Sequence, residues 1–302
     1  MDERELPVWR SLLFVPANVR RFAEKAPSCG ADGIIVDLED SIAPAQKDAA
    51  RAMLPDAVKL CAARGADILV RINRPLELAV RDIEAAVCPE VAALMLPKTE
   101  SADHVRLLAE VVQACEVRRG MRIGHTRFYA VVETVSAFPR MFRIAAAHPR
   151  IVAFTCGTED LAASMGTEPD PDVLRYPKQQ GILAARAAGV LAMGLLGSSA
   201  DFRDLEGYRH TVRESRRFGI DGASCIHPSQ VPVLNDGLSP DEREVAGARR
   251  IVEAFDAALA AGRGAIALDG KMLDEPVVQR ARRVLRVAGR HAAAAHGHDA
   301  PS

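Results

Sequence analysis

Residues 33–40 read Gly-Ile-Ile-Val-Asp-Leu-Glu-Asp, an unbroken apolar run closed by acids. A run this short, rich in β-branched side chains and ending in charge, is what a strand buried on both faces of a parallel sheet looks like. Working outward, similar runs stand at 11–16, 68–72, 93–96, 128–133, 151–156, 190–196 and 223–226. Between them, segments such as 46–54, 102–114 and 172–188 place apolar residues at three- and four-residue spacing, the pattern of amphipathic helices. Strand starts recur roughly every 20–40 residues, the length of one βα unit, and eight such units predict a closed (β/α)8 TIM barrel. The competitor is an open doubly wound sheet. Its glycine-rich dinucleotide fingerprint is missing after the first strand, where the chain reads Phe14-Val-Pro-Ala-Asn-Val-Arg-Arg21.

Composition narrows the function classes. The 302 residues carry 39 Lys+Arg against 40 Asp+Glu, a formal net charge of −1. Near-neutrality without a basic block argues against partners such as nucleic acid or an anionic membrane surface. No apolar stretch approaches the ~18 residues that a membrane span needs. The first residues, Met-Asp-Glu-Arg-Glu-Leu-Pro, lack the apolar core of a secretory signal. The six cysteines show no CxxC spacing, so they read as reduced, mostly buried thiols in a cytoplasmic enzyme.

The rhythm changes after Val233. Ser239, Pro240 and Glu242 read as a helix start, with Ser239 as cap and Glu242 closing a capping box. That helix is expected to stop at Gly262, followed by a link over 264–276 and a last helix over 277–290. The expected organisation is a barrel domain over 1–235, a C-terminal helical lid segment over 236–290 and a disordered tail over 291–302.

In a barrel, function is read at the C-terminal ends of the strands. Nearly every predicted strand here ends in charge: Asp37, Glu39 and Asp40; Arg71; Lys98; Glu133; Glu159 and Asp160; His227. Glu133 and Asp160 fall on neighbouring strands with no His or Cys cluster beside them, a donor set suited to a hard cation such as Mg2+. Arg71 would offer a fixed planar donor to a carboxylate or a developing oxyanion. Lys98 reads as an ion-pair partner of the acidic loops, and Cys156 and Cys225 as inert packing residues.

Several blocks carry a family resemblance: RSLLFVPA (10–17), GADGIIVDLEDSIAPAQKDAAR (30–51), VRIN (70–73), LPK (96–98), VVETVSAF (131–138), AFTCGTEDLAASMG (153–166), ADFRDLEG (200–207), CIHPSQV (225–231) and ALDGKMLDEPVVQRARRVL (267–285). Together, in colinear order over about 9–288, they resemble the citrate lyase β-subunit/CoA-ester lyase family of phosphoenolpyruvate-binding barrels. The resemblance implies a Mg2+-dependent carbon–carbon lyase or synthase acting on malyl-, citramalyl- or citryl-CoA-like thioesters, with acyl-CoA and a 2-oxo acid as its small-molecule partners. By the same resemblance, Glu133 and Asp160 would ligate the metal, and Glu133 and Arg71 would meet substrate. Asp37, Glu39 and Asp40 would support the metal's water shell. Phe14 would line the acyl pocket, and Arg21 and Lys25 would contact CoA phosphates. Asp274, on a segment reaching a neighbouring subunit, would exchange the proton, which implies a homo-oligomer, a homotrimer or a hexamer. The sequence departs from the family at Leu196, where an aspartate is usual, at Ser199, usually aromatic, and at Ala223, usually lysine. These changes leave open the acyl group, a citrate lyase β-subunit acting on a carrier-protein thioester, and a non-catalytic acyl-CoA-binding barrel.

Overall fold

The computed structural model describes residues 6–298. Eight parallel strands form its frame: β1 Ser11–Pro16, β2 Gly33–Asp37, β3 Asp67–Arg71, β4 Val91–Leu96, β5 Arg127–Val132, β6 Ile151–Cys156, β7 Leu191–Ala192 and β8 Ala223–Cys225. They are ordered β7-β6-β5-β4-β3-β2-β1-β8. A parallel bridge between Met193 and Gly222 joins the two ends of that row, so the sheet curls into the expected (β/α)8 barrel. The intervening helices are α1 Arg20–Lys25, α2 Lys47–Cys61, α3 Leu76–Ala86, α4 Ala102–Arg118, α5 Met141–Ala145, α6 Glu159–Met165, α7 Pro171–Ala188, α8 Leu205–Phe218 and α9 Gln230–Gly237.

Side chains alternate across each strand, and two cores result. One set, including Leu12, Ile35, Leu69, Met95, Tyr129 and Val131, fills the barrel interior under Trp9. The other, including Leu13, Ile34, Val36, Ile68, Leu94 and Phe154, packs outward against the helices. Both faces of each strand are therefore dry, which is why the runs are apolar without alternation.

Several expectations shift. The strand expected over 190–196 is confined to Leu191–Ala192, because Gly194 adopts φ +108° and turns the chain out of the ladder. The chain divides into two compact units, Met1–Leu238 and Ser239–Ser302. In the second, α10 Glu242–Ala260 is capped by Asp241 rather than Ser239. Asp241 accepts from the Glu244 N–H at 2.7 Å and Glu244 accepts from the Asp241 N–H at 2.9 Å, so this pair satisfies two orphan donors and wins over the upstream serine. The link forms an antiparallel hairpin, β9 Ile266–Leu268 and β10 Lys271–Leu273, whose turn places Asp269 and Gly270 at positive φ. The last helix, α11, spans Glu275–His298. It takes in 291–298, expected as disordered tail, because four consecutive alanines favour helix over coil; 299–302 lie outside the described residues. No helix among the described residues is long and apolar enough to cross a membrane.

Candidate active site

The period of two that fills the barrel also builds its mouth. Phe14, Asp37, Arg71 and Glu133 stand two residues beyond Leu12, Ile35, Leu69 and Val131, whose side chains form the interior core. Each therefore points to the barrel axis: Asp37 and Arg71 close their strands, Glu133 follows the last residue of β5, and Phe14 stands two residues before the end of β1. Register does the rest: Asp37 is the direct cross-strand partner of Arg71.

Arg71 is consequently locked rather than free. Its Nε and Nη2 donate to the two carboxylate oxygens of Asp37 at 2.7 Å each. Its Nη1 lies 2.9 Å from Glu39 Oε2 and 3.6 Å from Asp40 Oδ2. The Phe14 ring lies against the guanidinium, 4.7 Å from centroid to Cζ. Burial opposes both charges of the Asp37–Arg71 pair, yet their mutual bonding wins, holding the Asp37 carboxyl below its ordinary range and Arg71 above its own. The loop carrying Glu39 and Asp40 is fastened from below. Asn73 Nδ2 donates to the Leu38 carbonyl at 2.9 Å and to buried Asp82 at 2.7 Å, and Lys47 Nζ donates to the Leu38 carbonyl at 2.9 Å.

Lys98 joins the two acidic halves. Its Nζ lies 2.8 Å from Glu39 Oε1, 3.5 Å from Asp40 Oδ2 and 3.0 Å from Asp160 Oδ2, the ion pairing expected of it. Its backbone role was not legible in the sequence. Lys98 sits at φ +44°, a left-handed conformation costing about 1 kcal/mol or more for a residue with a Cβ. The turn aims its N–H at Glu133 Oε1, 2.8 Å away.

Glu133 itself is pushed up to about 7, by burial first and then by the charges of Asp160 and Glu39. Gly157 is what lets it fit: a Cβ there would lie 2.7 Å from Glu133 Cβ and 3.1 Å from its Oε2. Asp160, in the first turn of α6, keeps a side chain 41% exposed at the mouth.

The donor set fits a divalent cation that keeps most of its water. Among the described residues no group of three or more His, Cys, Asp or Glu is arranged to hold a metal. Mg2+ needs only one or two carboxylates, with water and substrate oxygens completing its octahedron. Burial first, and then the neighbouring charges of Asp160 and Glu39, raise Glu133. Added positive charge between Glu133 and Asp160 would relieve that repulsion.

Within the barrel unit, Arg21 and Lys25 take no part in this network. Arg21 and Lys25 are exposed on α1, Arg21 resting over its neighbour Phe22 at 5.0 Å. Asp274 lies in the second unit between β10 and α11, where its Oδ1 accepts from the Val277 N–H at 3.3 Å. Leu196, at one of the departures, is buried, its N–H donating to Ser215 Oγ at 3.0 Å. Ser199 gives its carbonyl to Gln230 Nε2 at 2.9 Å, fastening the loop after β7 to the first residue of α9. At the rim, His227 stacks on Phe202 with centroids 4.7 Å apart.

Residues 10–228 match the HpcH/HpaI aldolase/citrate lyase family. The chain is 34% identical over 288 residues to the citrate lyase subunit beta of Escherichia coli K12, covering 94% of this chain and 95% of that one. It is 33% identical over 283 residues to a (3S)-malyl-CoA thioesterase of Cereibacter sphaeroides, covering 93% and 94%. Among solved structures it resembles CitE of Mycobacterium tuberculosis in complex with magnesium, acetoacetate and coenzyme A, with a TM-score of 0.73, 34% identity, and coverage of 92% of this chain and 97% of that one.

Proposed function

The chain belongs to the HpcH/HpaI aldolase/citrate lyase family, and from that premise we propose that it is a Mg2+-dependent carbon–carbon lyase or synthase of 3-hydroxyacyl-CoA esters. Its substrates are malyl-, citramalyl- or citryl-CoA-like, and its products are an acetyl-type thioester and a 2-oxo acid. The observation that carries the reading is the meeting at one barrel mouth of the Glu133–Asp160 pair with a guanidinium held rigid by Asp37. The magnesium and coenzyme A of the M. tuberculosis relative support it.

Glu133 and Asp160 would hold the metal, which when bound supplies charge to offset a 3-alkoxide and its neighbouring carboxylate. The residues do the rest. A general base takes the 3-hydroxyl proton, the alkoxide oxygen forms the carbonyl of the 2-oxo acid, and the electron pair of the broken carbon–carbon bond passes into the thioester, leaving an enolate. Arg71, immobilised by Asp37 and Glu39, offsets charge on that enolate oxygen. Phe14, pressed against Arg71, lines the acyl side of the pocket. Asp274 of a neighbouring subunit donates the proton to the enolate carbon, so the working form is a homo-oligomer, a trimer or a hexamer. Arg21 and Lys25 pair with CoA phosphates from α1.

The test is incubation of purified protein with each of the three CoA esters, with Mg2+ or with EDTA. Equal release of acetyl-CoA and 2-oxo acid, lost in EDTA, is the expected result; turnover in EDTA overturns the metal assignment. The identity to the E. coli subunit favours one second reading, a β-subunit that acts on a carrier-protein thioester. Silence on every CoA ester with turnover on an acylated carrier protein would select it. Release of free CoA and hydroxy acid without 2-oxo acid would select thioester hydrolysis.

A further inference from the structure

The core-facing stripe of α7 is Leu174, Pro177, Lys178, Gly181, Ala184 and Ala185, a helical face that is apolar except for one lysine. Lys178 is 4% exposed and none of its hydrogen-bond partners is a carboxylate. Burying an ammonium that no carboxylate bonds directly is costly, and burial outweighs the more distant attraction of Glu133 and Glu159, lowering Lys178 to about 8. Its side chain is nonetheless placed with care. Nζ donates to the carbonyl of Cys156, the last residue of β6, at 2.8 Å and to Thr158 Oγ1 at 2.6 Å.

Those two acceptors flank Gly157 at the start of the turn that delivers Asp160. Thr158 is the N-cap residue of α6, yet its hydroxyl makes no cap bond to the helix. Forgoing that cap costs about 1 kcal/mol, and the oxygen is committed to Lys178 instead. One helical turn along the same face, Gly181 brings α7 against the strand end: a Cβ there would lie 2.9 Å from Cys156 Cβ. The turn is pinned from the other side too, the Gly157 N–H donating to the Val132 carbonyl at 2.7 Å, next to Glu133.

We infer that Lys178 is a positioning residue for the candidate metal site, fixing the 156–160 turn so that Asp160 faces Glu133 at the separation a shared cation requires. The inference rests on the proposed roles of Glu133 and Asp160. It assigns metal affinity to a side chain with no direct contact to the cation, through the same outer-shell logic by which ligand orientation governs binding.

The probe is Mn2+ titrated into the purified protein by calorimetry, with Mg2+ dependence of ester cleavage as a second reading. K178M removes the donors at nearly constant volume and should weaken Mn2+ binding about 10- to 100-fold. K178R, which keeps charge and donors, should recover part of the loss. T158V removes only the hydroxyl, leaving the Cys156 contact, and should lose less, about tenfold at most; it keeps the test open if K178M does not fold. A folded K178M, or a folded T158V and K178R series, with unchanged Mn2+ affinity overturns the inference, since a purely structural lysine would lower the melting temperature alone. E133Q and D160N separate the two readings. If they abolish Mn2+ binding while K178M does not, only the inference falls; if they bind Mn2+ like the parent protein, the site assignment falls with it.

Discussion

At the residue scale, the candidate site depends on side chains that hold others still. Arg71 shows it most directly, since a guanidinium clamped by both oxygens of Asp37 cannot swing away from the mouth. Lysine lacks the planar fork, so R71K keeps the charge and loses the clamp. It is expected to lower kcat by about 10²–10³ with Mn2+ affinity unchanged; a near-normal kcat would remove Arg71 from the chemistry. Gly157 makes a complementary case. In G157A the new methyl must displace Glu133, at an expected stability cost of about 1–3 kcal/mol by chemical denaturation, together with weaker Mn2+ binding. The strand-end placing of Arg71 and Glu133 was legible in the sequence because each closes an apolar run, whereas Asp160, four residues past the end of β6, stood out through the family resemblance. Gly157 and Lys178 were not, because a close approach and a buried lysine on an apolar helix stripe have meaning only once the facing strand is known.

At the element scale, the loop before β5 is set by one buried ion pair. Arg150 donates through Nη1 and Nη2 to both oxygens of Glu116 at 2.7 and 2.6 Å, and Glu116 also accepts the N–H groups of Gly124 and Thr126. Both side chains are almost fully buried. Burial alone would raise the Glu116 carboxyl, but Arg150 and the two backbone donors outweigh it and hold it below the ordinary range. A depressed carboxylate stabilises the fold above its unfolded value, near 4.3, and that contribution fades as pH falls through the lower folded value. E116Q leaves Arg150 buried without its anion and is expected to cost about 3 kcal/mol at pH 7. Denaturation curves from pH 7 downward should show the gap between the two proteins narrowing only below the ordinary carboxylate range; a gap independent of pH would contradict the charge argument. The same scale shows where pattern reading slipped. Apart from β7, cut short at Ala192, strands buried on both faces were legible to within a residue or two. The start of α10 was displaced because two overlapping cap signals compete there, and only backbone geometry chooses Asp241 over Ser239.

At the scale of the whole molecule, the chain is a barrel unit and a separate C-terminal unit. The proposed chemistry requires Asp274 of one subunit at the mouth of another. Co-expressed D160N and D274N subunits, each inactive alone, should then recover activity, up to roughly a quarter of the sites by random pairing in a closed ring. No recovery, or a monomer by light scattering, would sink the shared site. What the sequence alone determined was the barrel, its strand order and the charges at its strand ends. Those follow from local periodicity: a strand buried on both faces must be apolar throughout, and its first charge marks where it leaves the core. Only the tertiary structure decided how those charges pair: Arg71 to Asp37 by register, Lys98 across to Asp160, and Lys178 beneath the turn that carries it. Pairing is a matter of distance between segments far apart in the chain, which local periodicity does not encode.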